Sequence, residues 1–158
     1  METPSPSLSM EGKVAVVTGG SRGLGRSMSL AFARAGADVV IASRKIESCQ
    51  SLADEIRSMT GRRAVPVAAH VGRWGDCDAL YEAALAAFPR VDVLVNNAGM
   101  SPLYNKPSDV SEDLYDKVLN VNLRGPFRLT ALFGERMIAD GGGSIINVSS
   151  MAGGYRDT

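Results

Sequence analysis

The chain has 158 residues, of which 45% are hydrophobic, enough to close the core of a single domain. Its 17 Lys and Arg balance 17 Asp and Glu, which excludes a broad polyanion-binding surface and with it a nucleic-acid partner, although one local basic site stays open. Two cysteines, Cys49 and Cys77, are too few for a disulfide framework, and no apolar run approaches the length of a membrane helix, so a cytoplasmic location with no membrane partner is expected.

Residues 1–10 are rich in Ser, Pro and Thr and carry no apolar stretch, which predicts a disordered leader before a domain over residues 11–158. Residues 13–17 form an apolar run ending in Thr18-Gly19-Gly20, as a buried parallel strand does. Leu24, Met28, Leu30, Ala31, Phe32 and Ala35 then repeat at helical spacing up to Gly36. Residues 38–42 read as a second strand and residues 48–59 as a helix with Leu52, Ile56 and Met59 on one face. A third strand over residues 64–68 contains Pro66, which favours a sheet edge.

A third helix is expected over residues 76–88, closed by Pro89, with Trp74 capping it against the sheet. A fourth strand follows over residues 91–95. Ser111, followed by Glu112 and Asp113, caps a helix predicted to run unbroken to about Ala139, with Leu114, Val118, Val121, Leu129 and Leu132 on its buried side. Gly141-Gly142-Gly143 ends it, and residues 144–148 give a fifth strand. Strand and helix alternating in this way imply right-handed crossovers and an α/β, three-layer, doubly wound parallel sheet, the Rossmann fold, with five strands in this chain.

The segment Thr18-Gly19-Gly20-Ser21-Arg22-Gly23-Leu24-Gly25 joins the first strand to the first helix. Glycine there lets the backbone turn, approach a diphosphate and pack helix on strand, while the helix N-terminus offers free N–H groups to the phosphates. Gly19, Ser21, Arg22, Gly23, Leu24 and Gly25 are therefore candidate cofactor contacts. In dinucleotide folds an acid near the end of the second strand holds the ribose 2′-hydroxyl and selects NAD. Here that place holds Ser43, Arg44 and Lys45. A 2′-phosphate repels carboxylates and is gripped by guanidinium groups, so Arg44, with Arg22, favours NADP(H) over NAD(H).

The T-G-x-x-x-G-x-G spacing, Asn96-Asn97-Ala98-Gly99 after the fourth strand, Asn122 within Val121-Asn122-Leu123, and Ser149-Ser150 after the fifth strand together resemble the short-chain dehydrogenase/reductase family. The resemblance implies an oxidoreductase that transfers hydride between nicotinamide and an alcohol or ketone substrate, active as a homo-oligomer at full length. It implies that Asn97, Ala98 and Gly99 line the ribose and nicotinamide, and that His70 and Val71 stand near the adenine, where the family commonly has an acid. It also implies that Ser150 orients the substrate oxygen and that Asn122 supports a proton relay. The family's Tyr and Lys, spaced Y-x-x-x-K, are expected beyond Thr158, because Tyr155 lies too close to Ser150 to serve. The expected product is thus the first part of a longer enzyme, with a non-catalytic NADP(H)-binding module or an inactive truncated product as the alternative. No Cys/His spacing suggests a metal.

Overall fold

A computed structural model describes residues 8–150. Five parallel strands, β1 (Val14–Thr18), β2 (Asp38–Ser43), β3 (Ala64–Ala68), β4 (Val93–Asn96) and β5 (Ser144–Asn147), lie in the order β3-β2-β1-β4-β5. Val16 pairs with Val40 on one side and Leu94 on the other, so β1 lies at the centre. Pro66 sits in β3 at the sheet edge, paired with Ile41, where its missing N–H costs no ladder bond.

The central strands read as unbroken apolar runs because both of their faces are covered. Val14 and Val16 point into one core with Leu80, Ala84, Leu129, Phe133 and Met137. Ala15 and Val17 point into the other with Leu30, Ala33, Leu52, Ala53 and Ile56. The first core lies under α3 (Trp74–Ala87) and α5 (Gly125–Ala139), the second under α1 (Gly23–Arg34) and α2 (Ile46–Thr60). Each fully buried Leu, Ile or Phe contributes about 1.5–3 kcal/mol of transfer free energy, so these two layers dominate the stability. Phe133 is fully buried and meets Tyr81 edge-on at 5.2 Å between ring centroids.

Three expectations from the sequence are corrected. The helix predicted over residues 111–139 is broken: α4 (Glu112–Leu119) passes through a π-helical turn, Asn120–Arg124, into α5. The Ser111 hydroxyl does cap α4, accepting the Leu114 N–H at 3.2 Å. Leu129 is buried as expected, but its buried companions after the wide turn are Phe133 and Met137, while Leu114, Val118, Val121 and Leu132 are half-buried. Trp74 does not face the sheet. It starts α3 and packs sideways on α5, under the guanidinium groups of Arg128 (4.7 Å) and Arg124 (5.4 Å) and 6.5 Å from Phe127. Met10, assigned to the leader, donates its N–H to the Ala35 carbonyl at 2.7 Å and packs on the second core.

The ends of the sheet away from the strand C-termini are clasped by Asp92. Its carboxylate accepts the Val14 N–H (3.0 Å), Arg90 Nε (2.7 Å) and Lys13 Nζ (3.4 Å). Burial pushes this carboxyl up, but the Val14 N–H and the Arg90 and Lys13 charges outweigh it and hold the group below the usual carboxylate value. Among the described residues no helix is long and apolar enough to cross a membrane.

Candidate functional site

The segments that follow β1, β2, β3 and β4 converge on one cleft of about 1070 Å³ at the C-terminal edge of the sheet. Ligands of open α/β sheets bind at this edge. Thr18 builds its floor. The Thr18 hydroxyl accepts the N–H groups of Asn97 (3.0 Å) and Ala98 (3.1 Å) and donates to the Val95 carbonyl (3.1 Å). Asn97 returns the contact, donating Nδ2 to the carbonyls of Thr18 (3.0 Å) and Gly19 (3.3 Å). The loops after β1 and β4 are thereby locked to each other.

Gly19 turns the chain at φ +61°, and Gly25 packs so closely that a Cβ there would collide with the Gly19 carbonyl. Arg22 precedes α1 in an extended conformation with no side-chain cap, and the first turn carries no acid. The leading N–H groups of α1 thus remain available to an anion.

Every cofactor-lining residue named from the sequence borders this cleft: Gly19, Ser21, Arg22, Gly23, Leu24 and Gly25 from the first loop, Ser43 and Arg44 after β2, His70 and Val71 after β3, and Asn97, Ala98 and Gly99 after β4. Its cations are Arg22, Arg44, Lys45, Arg73 and Lys117, and among the described residues no Asp or Glu lines it, so a chain of zero net charge presents a cationic cleft. His70 is fixed by its backbone N–H donating to Asp76 Oδ2 (2.8 Å) and by its Nδ1 accepting from the Gly72 N–H (3.2 Å).

The two residues expected to be catalytic stand apart from the lining. Asn122, in the π-helical turn, spends its amide on one backbone unit: Oδ1 accepts the Met100 N–H (2.9 Å) and Nδ2 donates to the Met100 carbonyl (2.8 Å). It shapes the cleft wall through Met100, which does line it. Ser150 is exposed, three residues beyond the end of β5. Tyr155 lies outside the described residues.

Sequence reasoning missed Ser48, Ala69, Gly72, Arg73, Met100, Ser101, Lys117, Asn120 and Val121 as lining residues. Arg73 and Lys117 carried one available signal, a cation at the start of a helix or in its last turn, but nothing local aims either at the cleft. Both cysteines are buried. Burial, reinforced by Asp78 and Asp76, pushes the Cys77 thiol up to about 11, so it is no thiolate nucleophile at neutral pH.

A family model described as short chain dehydrogenase matches residues 13–157. A curated relative, the short chain dehydrogenase/reductase astE of Aspergillus oryzae, is 38% identical over 143 residues, covering 90% of this chain and 55% of the relative. A crystal structure of a metagenomic short-chain oxidoreductase in complex with NADP superposes with a TM-score of 0.87 at 37% identity, covering 95% of this chain and 66% of that one. A 7α-hydroxysteroid dehydrogenase complexed with NADH and 7-oxo glycochenodeoxycholic acid superposes at 0.89 with 31% identity, covering 96% and 58%. The chain spans about half the length of the curated relatives it matches.

Proposed function

Because the chain belongs to the short chain dehydrogenase family, we propose that it is the dinucleotide-binding part of an NADP(H)-dependent oxidoreductase acting on a small alcohol or ketone. One observation carries the cofactor choice: Ser43, Arg44 and Lys45 line the cleft after β2, Arg22 lines it from the glycine loop, and among the described residues no carboxylate lines it. Neighbours of the same fold are complexed with NADP in one case and NADH in another, so the choice rests on local side chains. A carboxylate at this point would hold a free ribose 2′-hydroxyl and repel a 2′-phosphate, whereas a guanidinium favours the phosphate.

The residues present fit the group. The uncapped first turn of α1 holds the diphosphate, Arg22 and Arg44 hold the 2′-phosphate, and His70 and Val71 border the adenine. Asn97, Ala98 and Gly99 border the nicotinamide side. A bound nicotinamide supplies the hydride chemistry. Ser150 orients the substrate oxygen, and Asn122 positions the Met100 loop through its paired bonds. Residues 11–158 act as one domain in this reading, within a cytoplasmic, homo-oligomeric enzyme.

A binding module without redox activity is the second reading, favoured by the Asn122 amide being turned onto the Met100 backbone and away from the cleft lining. Fluorescence titration with NADPH and NADH tests the first reading. NADPH is expected to bind the more tightly, and Arg44→Ala to remove about ten- to a hundredfold of its affinity. Equal affinity for the two cofactors in the parent chain would refute it.

A further inference from the structure

A line of polar side chains runs from the cleft wall into the core beneath the end of β2. Ser21, in the glycine loop, donates its hydroxyl to Ser43 Oγ at 2.9 Å. Ser43 Oγ in turn lies 3.0 Å from Cys49 Sγ, and either atom can be the donor. Ser21 and Ser43 are half-buried and line the cleft, whereas Cys49 is fully buried on α2 and has no surface there.

Counting protons at Ser43 exposes two arrangements. In one, Ser43 donates to the Cys49 sulfur and the thiol donates to the Val67 carbonyl, a long contact at 3.8 Å. In the other, the thiol donates to Ser43 Oγ, which then accepts from both Cys49 and Ser21. The Ser43 proton is left with only the Lys45 carbonyl at 3.4 Å, a poor acceptor distance for a hydroxyl. The second arrangement therefore presents a weakly held donor to the cleft, at the strand end where dinucleotide folds read the ribose 2′ position. Arg22, which adjoins Ser21, and Arg44 and Lys45, which follow Ser43, line the same cleft. An anion there selects the second arrangement, because a charge-assisted bond replaces a strained neutral one.

We propose that Ser21, Ser43 and Cys49 form a hydroxyl–thiol relay that completes a 2′-phosphate subsite, with Cys49 as the buried positioning residue that frees the Ser43 proton for the phosphate. The proposal rests on the cleft being an NADP(H) site. The relay discriminates by its own chemistry: a phosphate accepts the Ser43 proton, while Ser21 keeps its bond to Ser43 Oγ, and a bare 2′-hydroxyl gains little from that donor.

The test is equilibrium titration of the full chain with NADPH and NADH, and with 2′,5′-ADP and 5′-AMP as competitors. Cys49→Ala is expected to weaken NADPH and 2′,5′-ADP about three- to tenfold and to leave NADH and 5′-AMP at parental affinity. Cys49→Ser, which keeps a donor beneath Ser43, is expected to restore most of the loss. Taking the ratio of the two cofactors within each variant removes any difference in folded fraction. An equal loss for both cofactors would mean that the thiol only packs, and would overturn the proposal. A parent that prefers NADPH, joined to an unchanged ratio in Cys49→Ala, would sink the relay alone. A parent with no preference would sink the NADP(H) reading and the relay together.

Discussion

Replacing Gly25 by Ala adds one methyl group at the point where α1 meets the loop after β1. The new Cβ would collide with the Gly19 carbonyl and stand 2.6 Å from Asn97 Nδ2. Neither neighbour is free to yield. The Gly19 carbonyl is bonded to Asn97 (3.3 Å), and the first turn of α1 is held by the buried Ser29 hydroxyl on the carbonyls of Gly25 (2.9 Å) and Gly20 (3.3 Å). Restoring ordinary van der Waals contact requires the loop and helix to part by about 1 Å. Overpacking of this kind costs about 1–3 kcal/mol of stability, which a domain with two filled cores survives.

Binding suffers more. A shift of that size takes the leading N–H groups of α1 out of hydrogen-bond range of a diphosphate. Two charge-assisted bonds at 1.5–3 kcal/mol each amount to about 3–6 kcal/mol, or two to four powers of ten in affinity. Circular dichroism melts and NADPH titration on the same sample separate the two effects. Near-parental affinity in Gly25→Ala would show that the loop is a structural turn and that the diphosphate does not sit on it.

Phe133→Ala removes the largest fully buried side chain among the described residues, a ring packed against Tyr81 under α5; denaturant melts should show a loss of about 3–5 kcal/mol, and a loss below about 1 kcal/mol would contradict that packing. Asp92 has its carboxyl held below the ordinary value of 3.8, so the stability it lends is complete above that pH and drains away as pH falls through the lower folded value. The melting-temperature gap between the parent and Asp92→Asn should therefore be constant near neutrality and shrink only below about pH 4; a gap that closes between pH 6 and 8 would contradict the clasp. Cys77, buried and with its thiol pushed up to about 11, should resist alkylation of the folded chain at pH 8 and react only on unfolding, as mass spectrometry of the labelled protein would report.

What the sequence alone determined was whatever is written in local backbone demands. The apolar runs of β1, β2 and β4, the glycine spacing from Gly19 to Gly25, the Ser111 cap and the edge position of Pro66 each depend on residues a few places apart. Short-range steric and hydrogen-bonding rules decide such features. The cleft residues from Gly19 to Gly99 were legible for the same reason, because a parallel sheet brings its strand ends together once the strands are known. Tertiary structure alone decided the rest. The π-helical turn at Asn120–Arg124 has no local signature, since the residues within it are compatible with an ordinary helix. It arises where α5 keeps Leu129, Phe133 and Met137 on the core while Asn122 reaches back to Met100, 22 residues away. Trp74 faces α5 and not the sheet because Arg124 and Arg128, some 50 residues later, cover its ring. Cys49 lies beneath Ser43 because α2 folds back along β2. These contacts join segments whose separation along the chain carries no period, and only the packing of the finished fold brings them together.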